Sequence, residues 1–200
     1  MASVKDIISD WSTDEGERLV LADQVPGLVI RWLNQAQLRF SEISQVLTGV
    51  WEPTIDSTGE ETLPDDWLRE VPDRVLWQTS IGLTKGDYAT LKIANLSNPQ
   101  AYAIWQGKFY VFGPTAGTPT IPYYKKPSEV KTTQYSTASL EIPSEYHHHL
   151  ILFMDAMFAR RSKDYKGYLI LRKEFDQSAR DAGIDFSNRR ELMIMRGGMI

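Results

Sequence analysis

Two stretches of helical periodicity are separated by a block that lacks it, and this interruption constrains the fold more than any other feature of the chain. Val29, Trp32, Leu33, Ala36, Phe40, Ile43 and Leu47 recur three and four apart, with Arg31, Gln35, Arg39 and Glu42 on the other side. The segment Asp23-Gln24-Val25-Pro26 is predicted to start this amphipathic helix, because proline is accepted in a first turn, and Gly49 is predicted to stop it. From residue 50 to 125 the period lapses, and Pro, Gly, Thr and aromatic residues take over.

That middle block reads as a small antiparallel sheet. Val75-Leu76-Trp77, Tyr88 to Ile93, Tyr102 to Trp105, Lys108 to Phe112 and Thr120 to Lys125 carry the aromatic and β-branched bias of strands. Gln106-Gly107 suits a tight hairpin, since glycine takes positive φ freely. Pro122 has no amide hydrogen, so its strand is expected at a sheet edge or a bulge. Leu63-Pro64-Asp65-Asp66-Trp67-Leu68 reads as a turn followed by an apolar patch.

Helical patterning returns at Leu140-Glu141-Ile142-Pro143-Ser144-Glu145-Tyr146-His147. A second long helix is expected from Pro143 to about Lys163, burying Leu150, Ile151, Met154, Met157 and Phe158. A third runs through Leu171, Phe175, Ala179 and Ala182, with Gly183 as its natural stop. Ser3 to Trp11 reads as a short capped helix, and Ser12 to Glu17 as an acidic loop. The expected fold is α+β, a bundle of three to four helices with an inserted small antiparallel β-sheet. The divisions are residues 1–49 (N-terminal helices), 50–142 (β-rich insertion), 143–183 (C-terminal helices) and 184–200 (tail).

Composition removes several function classes. With no cysteine among 200 residues there is no disulfide, no thiolate metal site and no cysteine nucleophile, and a reducing compartment fits best. No apolar run approaches the roughly 18–20 residues needed to span a bilayer, and the N-terminus lacks the basic-then-apolar plan of a signal peptide. Residues 1–100 hold 8 Lys and Arg against 16 Asp and Glu, whereas residues 101–200 hold 14 against 10. An acidic first half is a poor surface for gripping duplex DNA.

No residue pattern assembles a catalytic, cofactor or metal site. His147-His148-His149 are the only histidines, and neighbours on a helix diverge by about 100°, so they cannot converge on one ion. The expected arrangement is one imidazole packed and two exposed. There is no Gly-x-Ser-x-Gly elbow, and Gly113 to Thr118 lacks the Gly-Lys-Ser/Thr ending of a phosphate loop. The adjacent carboxylates Asp65-Asp66 and Glu60-Glu61 read as solvated loop charge. The aromatic residues read as core or interface packing, because Arg and Lys are not interleaved with them.

The order of motifs resembles the head-to-tail adaptor, or head-completion, proteins of tailed phages. The resemblance spans about residues 1–180 and is carried by Trp32-Leu33-Asn34-Gln35-Ala36-Gln37, Leu63-Pro64-Asp65-Asp66-Trp67, the Tyr-x-Ile-x-x-Gly hairpin at Tyr102, Tyr123-Tyr124-Lys125-Lys126-Pro127 and Ile142-Pro143-Ser144-Glu145-Tyr146-His147. It implies a non-enzymatic structural protein of the virion head-tail junction, made in the host cytoplasm. It further implies a ring of about twelve copies with the portal protein on one side and a tail or neck protein on the other. Double-stranded DNA would pass without sequence-specific binding. Another neck ring, such as a tail terminator, is the alternative within phage structure; a small hydrolase is the alternative outside it. In the tail, Arg189, Arg190 and Arg196 flank Leu192, Ile194 and Met195, and this segment is read as docking on the portal or an adjacent copy through its apolar residues.

Overall fold

The computed structural model describes residues 3–13, 16–72, 74–78, 80–94, 96–113 and 116–197, with side chains as far as Arg189. The chain divides into two compact units, Met1–Leu47 with Lys126–Ile200, and Thr48–Lys125.

The first unit is helical. Its helices are α1 (Val4–Ser12), α2 (Gly16–Gln24) and α3 (Pro26–Ser44), then, after the sequence of the second unit, α5 (His147–Arg161) and α6 (Tyr165–Gly197). Ser3 and Asp6 form a reciprocal capping box that starts α1, and Val4, Ile7, Ile8 and Trp11 are buried along one face. These join Phe40 of α3, Leu150 and Met154 of α5, and Phe175 of α6 in one apolar core. Val130, Leu140 and Ile142, which precede α5, belong to that core too.

Three helix boundaries differ from the sequence expectation. The acidic loop ends early, because α2 already begins at Gly16. Helix α3 stops at Ser44, where Gln45 takes the left-handed conformation (φ 58°) and donates its N–H to Ser41 O. Gly49, the expected stop, lies instead in a strand. The largest difference is at Gly183, which lies inside α6 rather than beyond its end. A Cβ there would come within 2.6 Å of Ser44 O, so this glycine serves a close helix crossing, not a stop.

Among the described residues the second unit holds a short helix, α4 (Tyr88–Ile93), and nine strands in two sheets. The five-stranded sheet is built on β9 (Pro119–Lys125). Strand β1 (Thr48–Trp51) pairs along one side of β9; β3 (Trp67–Glu70) and β4 (Leu76–Trp77) pair along the other, and β5 (Ile81–Gly82) extends β4. The four-stranded sheet runs β2 (Glu60–Thr62), β8 (Lys108–Phe112), β7 (Ala101–Trp105) and β6 (Thr84–Lys85), with β6 and β7 parallel. Trp67, Trp77, Tyr102, Phe109 and Ile121 lie in a core separate from the helical one. At the β7–β8 turn Gln106 (φ 49°) and Gly107 (φ 76°) both take positive φ, as a type I′ hairpin requires.

The fold is therefore α+β, but with six α-helices and two sheets among the described residues, not three to four helices and one antiparallel sheet. Part of the excess comes from Tyr88 to Ile93, expected as a strand. Asp87 overrides that β-propensity by accepting Thr90 N–H (2.9 Å) and Thr90 Oγ1–H (3.0 Å) at the helix N-terminus. Of the edge or bulge expected for the strand of Pro122, the edge is not found, because β9 is central, whereas the β3–β9 ladder does carry an irregularity between Trp67 and Arg69. The Pro122 carbonyl accepts Val71 N–H in the interval between β3 and β4. The N and O of a strand residue face the same neighbour, so the missing N–H falls where neither ladder continues.

Candidate functional site

The motifs singled out in the sequence become two clamps, one in each unit. In the sheet unit, the Asp66-Trp67 pair grips Tyr123 of β9. Trp67 stacks on its ring (centroids 5.0 Å apart, planes 11° apart), and Tyr123 donates its hydroxyl to Asp66 Oδ1 at 2.9 Å. Gly49 lies directly across the ladder from Tyr123. A Cβ at Gly49 would meet that ring at 2.8 Å, so a bare backbone is what lets the aromatic lie flat against β1. On the four-stranded sheet, Tyr88 of α4 stacks on Trp105 (4.6 Å, 7°) and leans on Tyr110 (4.6 Å). Trp105 remains 44% exposed.

In the helical unit, Asn34 fastens the chain ahead of α5 to α3. Its Nδ2–H donates to Val130 O and its Oδ1 accepts Val130 N–H, both at 3.0 Å, so one amide completes both polar groups of one residue. Asn34→Ala orphans both of them. We expect a loss of about 2 kcal/mol, read as a lower urea midpoint with an unchanged slope. Asn34→Asp, which keeps the size but removes the donor, should fare no better.

The junction into α5 fixes the histidines. Pro143 holds an extended conformation, Ser144 to Tyr146 make a 3-10 turn, and Tyr146 N–H donates to Pro143 O. His147 is buried with Nε2 2.8 Å from Ile142 O, and because a carbonyl only accepts, Nε2 carries the proton. His148 is exposed, and half-buried His149 stacks on Phe40 (5.6 Å, 19°). The expectation of two exposed imidazoles is thus corrected for His149, which the ring of Phe40 draws inward.

Burial first, and then the neighbouring His148 charge, push the His149 pKa down to about 4, while Asp181 acts in the opposite sense. In the unfolded chain this histidine takes its proton near 6.5. Between pH 6.5 and about 4 the unfolded state therefore binds more protons, and stability falls as the pH drops through that window. For a half-exposed ring the loss is about 1 kcal/mol. Denaturant midpoints at pH 7 and pH 4.5 should show a smaller difference for His149→Phe than for the parent; equal differences refute the assignment.

Of the tail residues expected to dock, Arg189 is exposed and pairs within its own chain, with Asp185 Oδ2 at 2.7 Å and Glu145 Oε1 at 3.1 Å. Arg190, Leu192, Ile194, Met195 and Arg196 lie on the last turns of α6, and their side chains fall outside the described residues. Among the described residues no group of three or more His, Asp or Glu side chains could hold a metal ion, and no helix is long and apolar enough to cross a membrane.

What the sequence did not point to is exposed apolar surface. In the helical unit Leu19, Val20, Tyr165, Leu169 and Ile170 stand in solvent; in the sheet unit Val50, Ile81 and Ile93 do so. Leu19-Val20 and Leu169-Ile170 are pairs of exposed apolar neighbours, and contiguous apolar surface of that sort can serve contact with another macromolecule. The hydrogen bonds of Asn34 and of Tyr123 hold the packing of each unit together.

Residues 1–194 match the family model of the SU10 adaptor protein. The chain belongs to that family, a phage head-to-tail adaptor family, which is not a class of enzymes. Membership places it among proteins of the virion head-tail junction that assemble with portal and tail. No curated protein matches the chain.

Proposed function

We propose that this chain docks beneath a phage portal as a ring of about twelve copies, extends the DNA channel, and provides the platform on which tail or neck proteins assemble. The observation that supports this best, beside the family match over residues 1–194, is that two separately cored units each leave large apolar side chains in solvent. A protein that joins two bodies needs two binding faces. Here each face is backed by its own packed core, so each can be engaged without loosening the other. The mechanism is binding and ordering, with no covalent step. The acidic excess of residues 1–100 favours the passage of duplex DNA over its capture.

The C-terminal segment from Arg189 to Ile200 is assigned to docking on the portal or a neighbouring copy, with Leu192, Ile194 and Met195 as anchors. Deleting residues 189–200 should leave the protein folded, because it removes only surface ion pairs from the described contacts. The melting temperature should stay within about 2 °C of the parent. Joining of filled heads to tails, measured by complementing heads that lack the adaptor, should be abolished. Normal joining by the truncated chain overturns the docking role.

A further inference from the structure

We infer that copies of this chain meet head to tail through two oppositely charged surfaces of the helical unit, the outer face of α1–α2 on one copy and the α5–α6 elbow on the next. The inference rests on the adaptor reading above and names the surfaces through which its copies join.

The elbow is basic and apolar together. Residues 159–173 contain six Lys and Arg and one acid, Asp164. That acid is already committed, because its Oδ1 accepts Gly167 N–H at 2.9 Å to start α6. Arg172 lies over the Phe153 ring at 4.6 Å and so faces the core. Arg161, Lys163, Lys166 and Lys173 remain exposed. Among them stand Tyr165, Leu169 and Ile170, which are 64%, 66% and 49% exposed.

The face of α1–α2 is its counterpart in sign. Residues 6–25 contain six Asp and Glu and a single cation, Arg18. Arg18 turns inward, with its guanidinium 3.1 Å from Asp155 and 5.5 Å from the centre of the Phe158 ring. Asp10, Glu17 and Asp23 stay exposed, and so do Leu19 and Val20, which are 51% and 50% exposed. Helix α2 buries only Leu21. A nine-residue helix with one buried side chain gains little from packing, and short helices are marginal on their own. Covering Leu19 and Val20 supplies what the isolated unit lacks.

The chemistry selects a second copy as the occupant. Either patch laid against its own twin brings like charges together, which disfavours a two-fold contact. Basic elbow against acidic face pairs opposite charges and covers aliphatic surface on both sides. Such a contact is heterologous, repeats from copy to copy, and closes into a ring when the rotation allows. Duplex DNA on the elbow would satisfy the cations but leave Leu169, Ile170 and the whole α2 face in water.

The absence of cysteine makes a direct test possible, since single introduced thiols have no native competitor. Purified full-length Leu19→Cys and Leu169→Cys proteins are mixed and oxidised. The mixed disulfide dimer should exceed either homodimer about tenfold, because only that pairing aligns opposite charges; a statistical mixture overturns the proposal. Two charge-swapped proteins, Arg161→Glu/Lys166→Glu and Glu17→Lys/Asp23→Lys, should each lose at least about tenfold in self-association by sedimentation velocity, and their equal mixture should regain it. Self-association equal to that of the parent in either swapped protein overturns the proposal. So does loss of binding to a duplex oligonucleotide by the elbow variant with self-association unchanged, which would make the elbow a DNA contact. Swapped proteins that self-associate normally while the parent joins heads to tails sink this interface alone; a parent that fails to join them sinks the adaptor reading.

Discussion

Trp11→Ala should destabilise the helical unit by about 3–5 kcal/mol, the largest effect expected from any single truncation in that core. Trp11 is 1% exposed and is the point where α1, α3 and α5 meet. Its ring lies edge-on to Trp32 (6.2 Å, 87°) and to Phe158 (6.0 Å, 78°), the arrangement in which the positive edge of one ring meets the negative face of another. Its Nε1–H donates to Asp155 Oδ1 at 2.8 Å, and Arg18 pairs with the same carboxylate oxygen. Alanine therefore opens a cavity the size of an indole and removes one of the donors to a partly buried acid. Trp11→Phe should cost about half as much, because the ring volume is largely kept while the donor is lost. Urea titrations of the three proteins measure both steps. A cost below about 1 kcal/mol for alanine would mean that the α1 contact contributes little to the core.

Gly183→Ala reverses the sign that helix propensity alone would give. In an exposed helix interior alanine is better than glycine by about 1 kcal/mol. In α6 the added Cβ would stand 2.6 Å from Ser44 O and 3.0 Å from Ser44 Cα, and both belong to backbone that cannot rotate away. Helices α3 and α6 must separate, and the expected cost is about 2–3 kcal/mol. Gly27 of α3 provides the contrast. A Cβ there meets nothing nearer than Thr132 Oγ1 at 3.8 Å, an ordinary contact, so Gly27→Ala should be neutral or slightly stabilising. The melting temperature should therefore fall for Gly183→Ala and hold or rise slightly for Gly27→Ala. A stabilising Gly183→Ala would show that the crossing has slack.

Gly183 also shows where sequence reading stops. A glycine after a run of periodic apolar residues has the same local appearance whether it ends a helix or lets another helix approach. Only the position of Ser44, 139 residues earlier in the chain, distinguishes the two. Helix α2 is illegible in the sequence for a related reason, since one buried residue leaves no periodic stripe to read. The face it presents to solvent was equally invisible: Leu19 and Val20 look like core residues until the structure shows what they do not touch. Tyr88 to Ile93 carries residues that favour strands, and the Asp87 cap that makes it helical is a two-atom contact. By contrast, Gln106-Gly107 was readable because both residues tolerate the backbone a two-residue hairpin imposes.

The amino-acid pattern by itself determined the large helices α3 and α5, the hairpin, the mixed α+β class and the family resemblance, because periodicity, turn chemistry and short motifs act over a few neighbouring residues. Tertiary structure alone decided that Pro122 lies in a central strand, that Gly49 makes room for Tyr123 and Gly183 for Ser44, and that Leu19, Val20, Leu169 and Ile170 stay in solvent. Those outcomes depend on distances between residues far apart in the chain, which local preferences do not specify.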